Sequence, residues 1–211
     1  MQRVIVTGAA PDRDAITVAV SVLHAGGIVA MPTDTLYGLA ADPWNPDAVA
    51  RLFTIKNRAA EKALPLVAAD TAQVRRRIGL LPRLAAQLAE RFWPGPLTLV
   101  LVAPAALATE VTGGTGTVGV RVPAHDVTRT LCAAYGTPLT ATSANRAGDP
   151  PTANPDVVAT TIGDRIDLLV DAGPTAGGPP STIVDVTGDE PLLIRAGAIA
   201  WDAVLAAVTP R

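Results

Sequence analysis

The chain has a single cysteine, Cys132, among its 211 residues. An internal disulfide is therefore impossible, and a zinc site built on several thiolates is excluded. Aromatic residues supply only 3% of the chain, so its core has to be assembled from Ala, Val, Leu and Ile. Val and Ile suit strands and Ala and Leu suit helices, a mixture that points to an α/β architecture. Charge of one sign is also lacking: 17 Lys and Arg face 19 Asp and Glu, for a formal net charge of −2. No global positive field recruits nucleic acid, and any anion site must be a local cluster. No apolar run reaches the ~18 residues that a membrane span needs. The opening MQRVIVTG lacks the long apolar segment of a signal peptide, and the chain is expected to be cytoplasmic. There is no G-x-x-x-x-G-K-[ST] phosphate loop and no G-x-S-x-G nucleophile elbow.

What is present alternates strand and helix. Arg3–Thr7 and Ile28–Met31 read as strands on either side of a helix capped by Asp12, with Ile16, Ala19, Val20 and Leu23 at helical spacing. Asn45 followed by Pro46 is a strong helix start, and Val49, Leu52 and Phe53 mark the buried face. Leu64–Ala69 reads as a buried strand, with Asp70 or Thr71 capping the helix beyond it. A further helix opens at Pro82 and stops at Trp93-Pro94-Gly95-Pro96. Leu97–Ala103 must be a central strand, followed by a polar, Gly-rich segment from Thr109 to Gly116 and a strand over Thr117–Val122. A helix over Asp126–Tyr135 leads to a strand at Pro138–Thr142 and a loop over Arg146–Pro155. One more helix, capped by Asn154-Pro155, precedes strands at Leu168–Val170, Thr182–Val186 and Leu192–Ile194, and a helix over Ala200–Val208 follows. Consecutive strands after an alternating start predict an open, twisted, mixed parallel and antiparallel sheet with helices packed on it, in one domain over 1–211.

The residues that carry chemistry gather at strand and helix ends. Met31–Leu66 runs from two threonines, a carboxylate and a tyrosine to Lys56, Asn57 and Arg58, with Lys62 close behind. Cations at a helix end complement its dipole, but three on a short loop repel one another and suit an anionic ligand. Arg121, between Val120 and Val122, is either an edge-strand arginine in solvent or a clamp for a carboxylate. Ser143-Ala144-Asn145, Ser181-Thr182 and Arg195 also sit where strands begin or end, the usual place for ligands on α/β sheets. Gly114–Gly119 spells G-x-G-x-x-G, but a strand follows it rather than a helix, so no helix N-terminus is offered to a pyrophosphate. His24 and His125 lie outside any triad pattern. Arg75-Arg76-Arg77 reads as an exposed helix face, and Cys132 as a buried structural thiol.

Taken together these residues resemble the YrdC-like domain of threonylcarbamoyl-AMP synthases. The resemblance rests on Pro32-Thr33-Asp34-Thr35-Leu36-Tyr37-Gly38-Leu39, the K-x-R of Lys56 to Arg58, Pro65-Leu66 and Pro94-Gly95-Pro96-Leu97-Thr98. It continues through Val120-Arg121-Val122-Pro123, Ser143-Ala144-Asn145, Ser181-Thr182-Ile183-Val184-Asp185 and Arg195-Ala196-Gly197. The resemblance implies a twisted α/β sheet around a large basic cavity. It also implies an activity that joins L-threonine, bicarbonate and ATP into threonylcarbamoyl-AMP and pyrophosphate, with Mg2+ accompanying the nucleotide and no dedicated metal cage. Downstream proteins would then transfer the group to tRNAs that read ANN codons. Carried onto this chain, Thr33, Arg121 and Ser181 would hold threonine, with the backbone at Ala141 nearby. Lys56, Arg58, Lys62, Thr117, Ser143, Asn145, Pro151 and Arg195 would hold ATP, Lys56 and Arg58 being the catalytic pair. Two features depart from the family pattern: Ala59 follows the K-x-R where proline is common, and Ala147 replaces a serine. Longer members carry an extra C-terminal domain, and the chain is expected to be the short form. Two other functions remain open: an RNA-binding module of the same fold, and a carbamoyl-adenylate-forming enzyme with another acceptor. Relatives of the latter kind carry cysteine-rich zinc motifs, which one cysteine cannot supply.

Overall fold

The computed structural model describes residues 1–7, 11–57 and 63–208. Eleven strands among these residues divide into two mixed sheets. The first holds β1 (Gln2–Ile5), β2 (Val29–Met31), β3 (Gly38–Ala40), β8 (Thr142–Ser143) and β9 (Leu168–Asp171), in the order β1-β9-β2-β3-β8. The second holds β4 (Leu66–Val67), β5 (Leu97–Val102), β6 (Thr117–Arg121), β7 (Leu139–Thr140), β10 (Thr182–Asp185) and β11 (Leu192–Arg195), in the order β11-β10-β5-β6-β4-β7. Parallel and antiparallel neighbours occur in both, as the mixture of crossovers and consecutive strands requires.

Local chemistry accounts for the helix ends. In α1 (Arg13–His24) the Asp12 side chain accepts from the Asp14 amide. In α2 (Pro46–Lys56) Asn45 accepts from the amides of Asp47 and Ala48, and the helix stops where Asn57 turns left-handed at φ 45°. Asp70 caps α3 (Thr71–Arg77), whose last turn is the exposed arginine run, and Asn154 caps α7 (Pro155–Ile162). The remaining helices are α4 (Arg83–Phe92), α5 (Thr109–Thr112), α6 (Asp126–Tyr135) and α8 (Trp201–Val208). The core is aliphatic, as the shortage of aromatics demands: Leu99 faces Val120 and Leu101 faces Val118 across β5 and β6, all four buried.

Three local differences from the sequence reading matter. Gly38–Ala40 is a strand that three apolar residues are too few to signal by period. The Gly-rich segment begins with the one-turn helix α5. The expected strand at 138–142 is two strands: Leu139–Thr140 pairs with β4 in the second sheet, and Thr142–Ser143 pairs with β3 in the first. Ala141 is the joint, its amide donating to the Pro65 carbonyl at 2.8 Å. The chain changes sheets there.

Candidate active site

A cleft of about 440 Å3 opens where the two sheets meet. One wall is the turn Thr35–Tyr37 with Thr142 and Ser143; the other is the second sheet, through Thr98, Gly119, Arg121, Ile183 and Arg195. Gly119 keeps the floor open, because a Cβ there would stand 3.0 Å from Thr98 Cγ2 and 3.9 Å from Pro65 Cβ.

Arg121 ends β6, an interior strand between β5 and β4, and is buried, so it is not an edge-strand arginine in solvent. Its guanidinium donates to Asp34 Oδ1 at 2.6 Å, with both side chains at least nine-tenths buried. Burial pushes the Arg121 pKa down and the Asp34 charge and hydrogen bond oppose that. Arg195, at the end of β11, donates to the carbonyl and Oγ of Ser181 at 2.6 and 3.2 Å, and Ser181 Oγ also bonds Thr98 Oγ1 at 2.9 Å. Burial holds its pKa down, and the nearby Arg121 charge pushes the same way, so the two arginines feel each other in one cleft.

Lys56, the last residue of α2, is 5% exposed. Its ammonium donates at 2.7 Å to the Ser143 carbonyl, the Asn145 carbonyl and Asn145 Oδ1, with Ser143 Oγ at 3.3 Å. Asn145 in turn donates from Nδ2 to the Asp149 carbonyl, and the Ala147 amide donates to the Lys56 carbonyl at 3.1 Å. One lysine thus binds the 143–149 turn to the end of α2.

The opposite turn is equally fastened. Thr33 Oγ1 donates to the Leu36 carbonyl at 2.7 Å and accepts from the amides of Thr35 and Leu36. Tyr37 is fully buried, and its hydroxyl donates to the Gly173 carbonyl at 2.8 Å and accepts from the Ala172 amide at 3.2 Å. Burial pushes the phenol up to about 12, so Tyr37 is a tether and not a proton donor or acceptor at neutral pH. The Thr35 carbonyl accepts from Thr175 Oγ1 and the Gly177 amide, which laces the 172–178 segment across the turn. Tyr37→Phe leaves two half-buried backbone groups without the hydroxyl and is expected to cost about 1–2 kcal/mol of stability, measured by denaturant unfolding. A change below a few tenths would mean that the tether carries no load.

The family model for Sua5/YciO/YrdC, described as telomere recombination, matches residues 21–197. The chain belongs to the Sua5/YciO/YrdC family. A threonylcarbamoyl-AMP synthase of Bacillus subtilis is 38% identical over 196 residues, covering 92% of this chain and 57% of the relative. One of Marinobacter nauticus is 42% identical over 168 residues, covering 79% of this chain and 88% of the relative. The crystal structure of Pyrococcus abyssi Sua5 complexed with L-threonine superposes with a TM-score of 0.93 at 34% identity, over 99% of this chain and 61% of that one. The chain therefore spans little more than half the length of the Bacillus and Pyrococcus relatives. No helix among the described residues is long and apolar enough to cross a membrane.

Within this Sua5/YciO/YrdC fold the residues expected from sequence fall into three groups. Arg121, Ser143, Pro151, Ser181 and Arg195 line the cleft. Thr33, Lys56 and Asn145 are buried and do not line it, and a Cβ on Gly38 would stand 3.8 Å from Thr33 Cγ2 and 3.9 Å from Ala141 Cα. Thr117 starts β6, four residues before Arg121, and its hydroxyl bonds Thr115 Oγ1 at 3.0 Å. Arg58 and Lys62 lie outside the described residues. The sequence reading passed over Asp34, Thr98, Ile183 and Ile194. Asp34 and Thr98 stood inside quoted motifs, but their partners Arg121 and Ser181 are 87 and 83 residues away, and no local signal joins them. Cys132 is buried, its thiol pushed up to about 12 by burial, which fits a structural group.

Proposed function

We propose that this chain is an L-threonylcarbamoyladenylate synthase, one domain forming threonylcarbamoyl-AMP and pyrophosphate from L-threonine, bicarbonate and ATP. The observation that carries this reading is the cleft's pair of arginines, one in a buried ion pair and one free of any carboxylate among the described residues. They suit two different anions side by side. The family membership and the fold shared with a threonine-bound relative support the same reading.

In this reading Arg121 takes the threonine carboxylate, with Thr33, Ser181 and the backbone at Ala141 shaping the amino-acid end. Arg195, Ser143, Asn145, Thr117 and Pro151 receive ATP, with Lys56 acting through the turn it holds and Arg58 and Lys62 completing the phosphate end. The neutral amine of threonine takes up carbon dioxide from bicarbonate to give an N-carboxy anion. That anion attacks the α-phosphate, the bond to the β-phosphate oxygen breaks, and pyrophosphate leaves. No enzyme nucleophile is required. The protein positions two anions and stabilises the charge on the leaving group. No carboxylate lines the cleft among the described residues, so the donor set does not make a magnesium site, and Mg2+ would be held by the nucleotide's own phosphates. The product would serve threonylcarbamoyl transfer, by partner proteins in the cytoplasm, to tRNAs reading ANN codons.

The test is pyrophosphate release from ATP and bicarbonate with threonine, with serine and with no amino acid. Release should require an amino acid and favour threonine. ATP turnover indifferent to threonine would overturn the assignment.

A further inference from the structure

The two arginines of the cleft differ in one respect that the reaction can use. Arg121 is compensated by Asp34, and the pair contributes no net charge to the cleft. Among the described residues Arg195 is held by Ser181 alone, through a carbonyl and a hydroxyl, and no carboxylate offsets its positive charge. The Asp34 carboxylate is committed to this duty. Its second oxygen, Oδ2, is buried without a hydrogen-bond partner among the described residues, so none of them shares its charge with Arg121. His125 feels the Asp34 charge, and its Nδ1 is also buried with no partner among the described residues; burial holds its pKa below the ordinary histidine value, and it stands neutral at pH 7. Asp126, which also acts on His125, is engaged with Arg129 at 2.5 Å.

An arginine whose charge is cancelled still presents N–H groups in a fixed fork. Such a group recognises a single carboxylate by geometry but has little pull on a polyanion, which the carboxylate behind it repels. We propose that Asp34 sorts the two substrates: by compensating Arg121 and not Arg195, it reserves Arg121 for a monocarboxylate and leaves polyphosphate to Arg195. Asp34 is then a specificity-determining positioning residue that touches neither substrate. The inference rests on the threonine-and-ATP reading above and adds the reason why the nucleotide does not occupy the amino-acid subsite.

The test uses the full chain, with inorganic pyrophosphate as the polyanion probe and threonine binding measured at equilibrium without ATP. Asp34→Asn keeps an oxygen for Arg121 and removes the charge. A unit charge at contact distance changes an ionic equilibrium by roughly ten- to a thousandfold. Pyrophosphate should therefore compete with threonine at least about tenfold more strongly in Asp34→Asn than in the native protein, and Asp34→Glu should restore the native pattern. Arg195→Gln leaves the buried pair untouched, so it reads out even if Asp34→Asn fails to fold. It should weaken pyrophosphate binding by about tenfold or more and threonine, whose Ser181 it holds, by clearly less. Pyrophosphate competition unchanged in Asp34→Asn, or threonine affinity falling as far as pyrophosphate affinity in Arg195→Gln, would overturn the sorting. A native protein that binds no threonine at all would overturn the functional reading, and the sorting with it.

Discussion

Lys56→Ala is expected to slow threonine-dependent pyrophosphate release by roughly two to three orders of magnitude, the loss seen when a preorganised charge-stabilising group is removed. The structure makes this a loss of architecture as well as of charge. The ammonium donates to three oxygens of Ser143 and Asn145 at 2.7 Å, and the residue is 5% exposed. Without it the Asn145 carbonyl loses that donor, while the Ser143 carbonyl keeps the Asn145 amide and Asn145 Oδ1 keeps the Ser143 hydroxyl; a buried unsatisfied group costs about 1–3 kcal/mol. A stability loss of about 1–3 kcal/mol should accompany the rate loss, with faster amide hydrogen exchange over residues 143–149. Rate loss with native stability and native exchange would instead assign the ammonium to the phosphates. Normal turnover would remove Lys56 from the site altogether.

The second large effect concerns the fork at Arg121. Arg121→Lys should raise the threonine KM roughly ten- to a hundredfold with a smaller change in kcat, because one ammonium cannot serve Asp34 and a carboxylate in the same fixed geometry. Arg121→Ala should go further and destabilise the fold by about 3–5 kcal/mol, because it strands the Asp34 carboxylate in a buried position without its partner. Thermal unfolding separates the two effects. An Arg121→Lys enzyme with native threonine KM would put the carboxylate elsewhere in the cleft.

Several of the elements were legible because their signals are local. Asn45-Pro46 and Asn154-Pro155 start helices through caps that bond amides two or three residues on, and the Asp126–Tyr135 helix is observed at its expected bounds. Leu97–Val102 is a central strand because an apolar run of that length has to be covered on both faces. The strand ends that line the cleft were also visible as interruptions of apolar runs by Arg121, Ser143, Ser181 and Arg195. Those signals could not say which of these side chains face one another. Arg121 had two readings until β6 took its place inside the sheet, and Thr142–Ser143 looked like the end of one strand until its hydrogen bonds fell to the other sheet.

The amino-acid order alone thus determined the α/β class, the elements with local signals, and the set of hydroxyls, amides and cations available at their ends. It could do so because propensity, capping and periodicity act over a few residues. The tertiary structure decided the pairings: Asp34 with Arg121, Lys56 with the Ser143–Asn145 turn, and Arg195 with Ser181. The first two join positions about ninety residues apart. They depend on sheet register and on the step between sheets at Ala141, which set the distances over which charge is compensated or left free. That difference in compensation is what distinguishes the two arginines of one cleft.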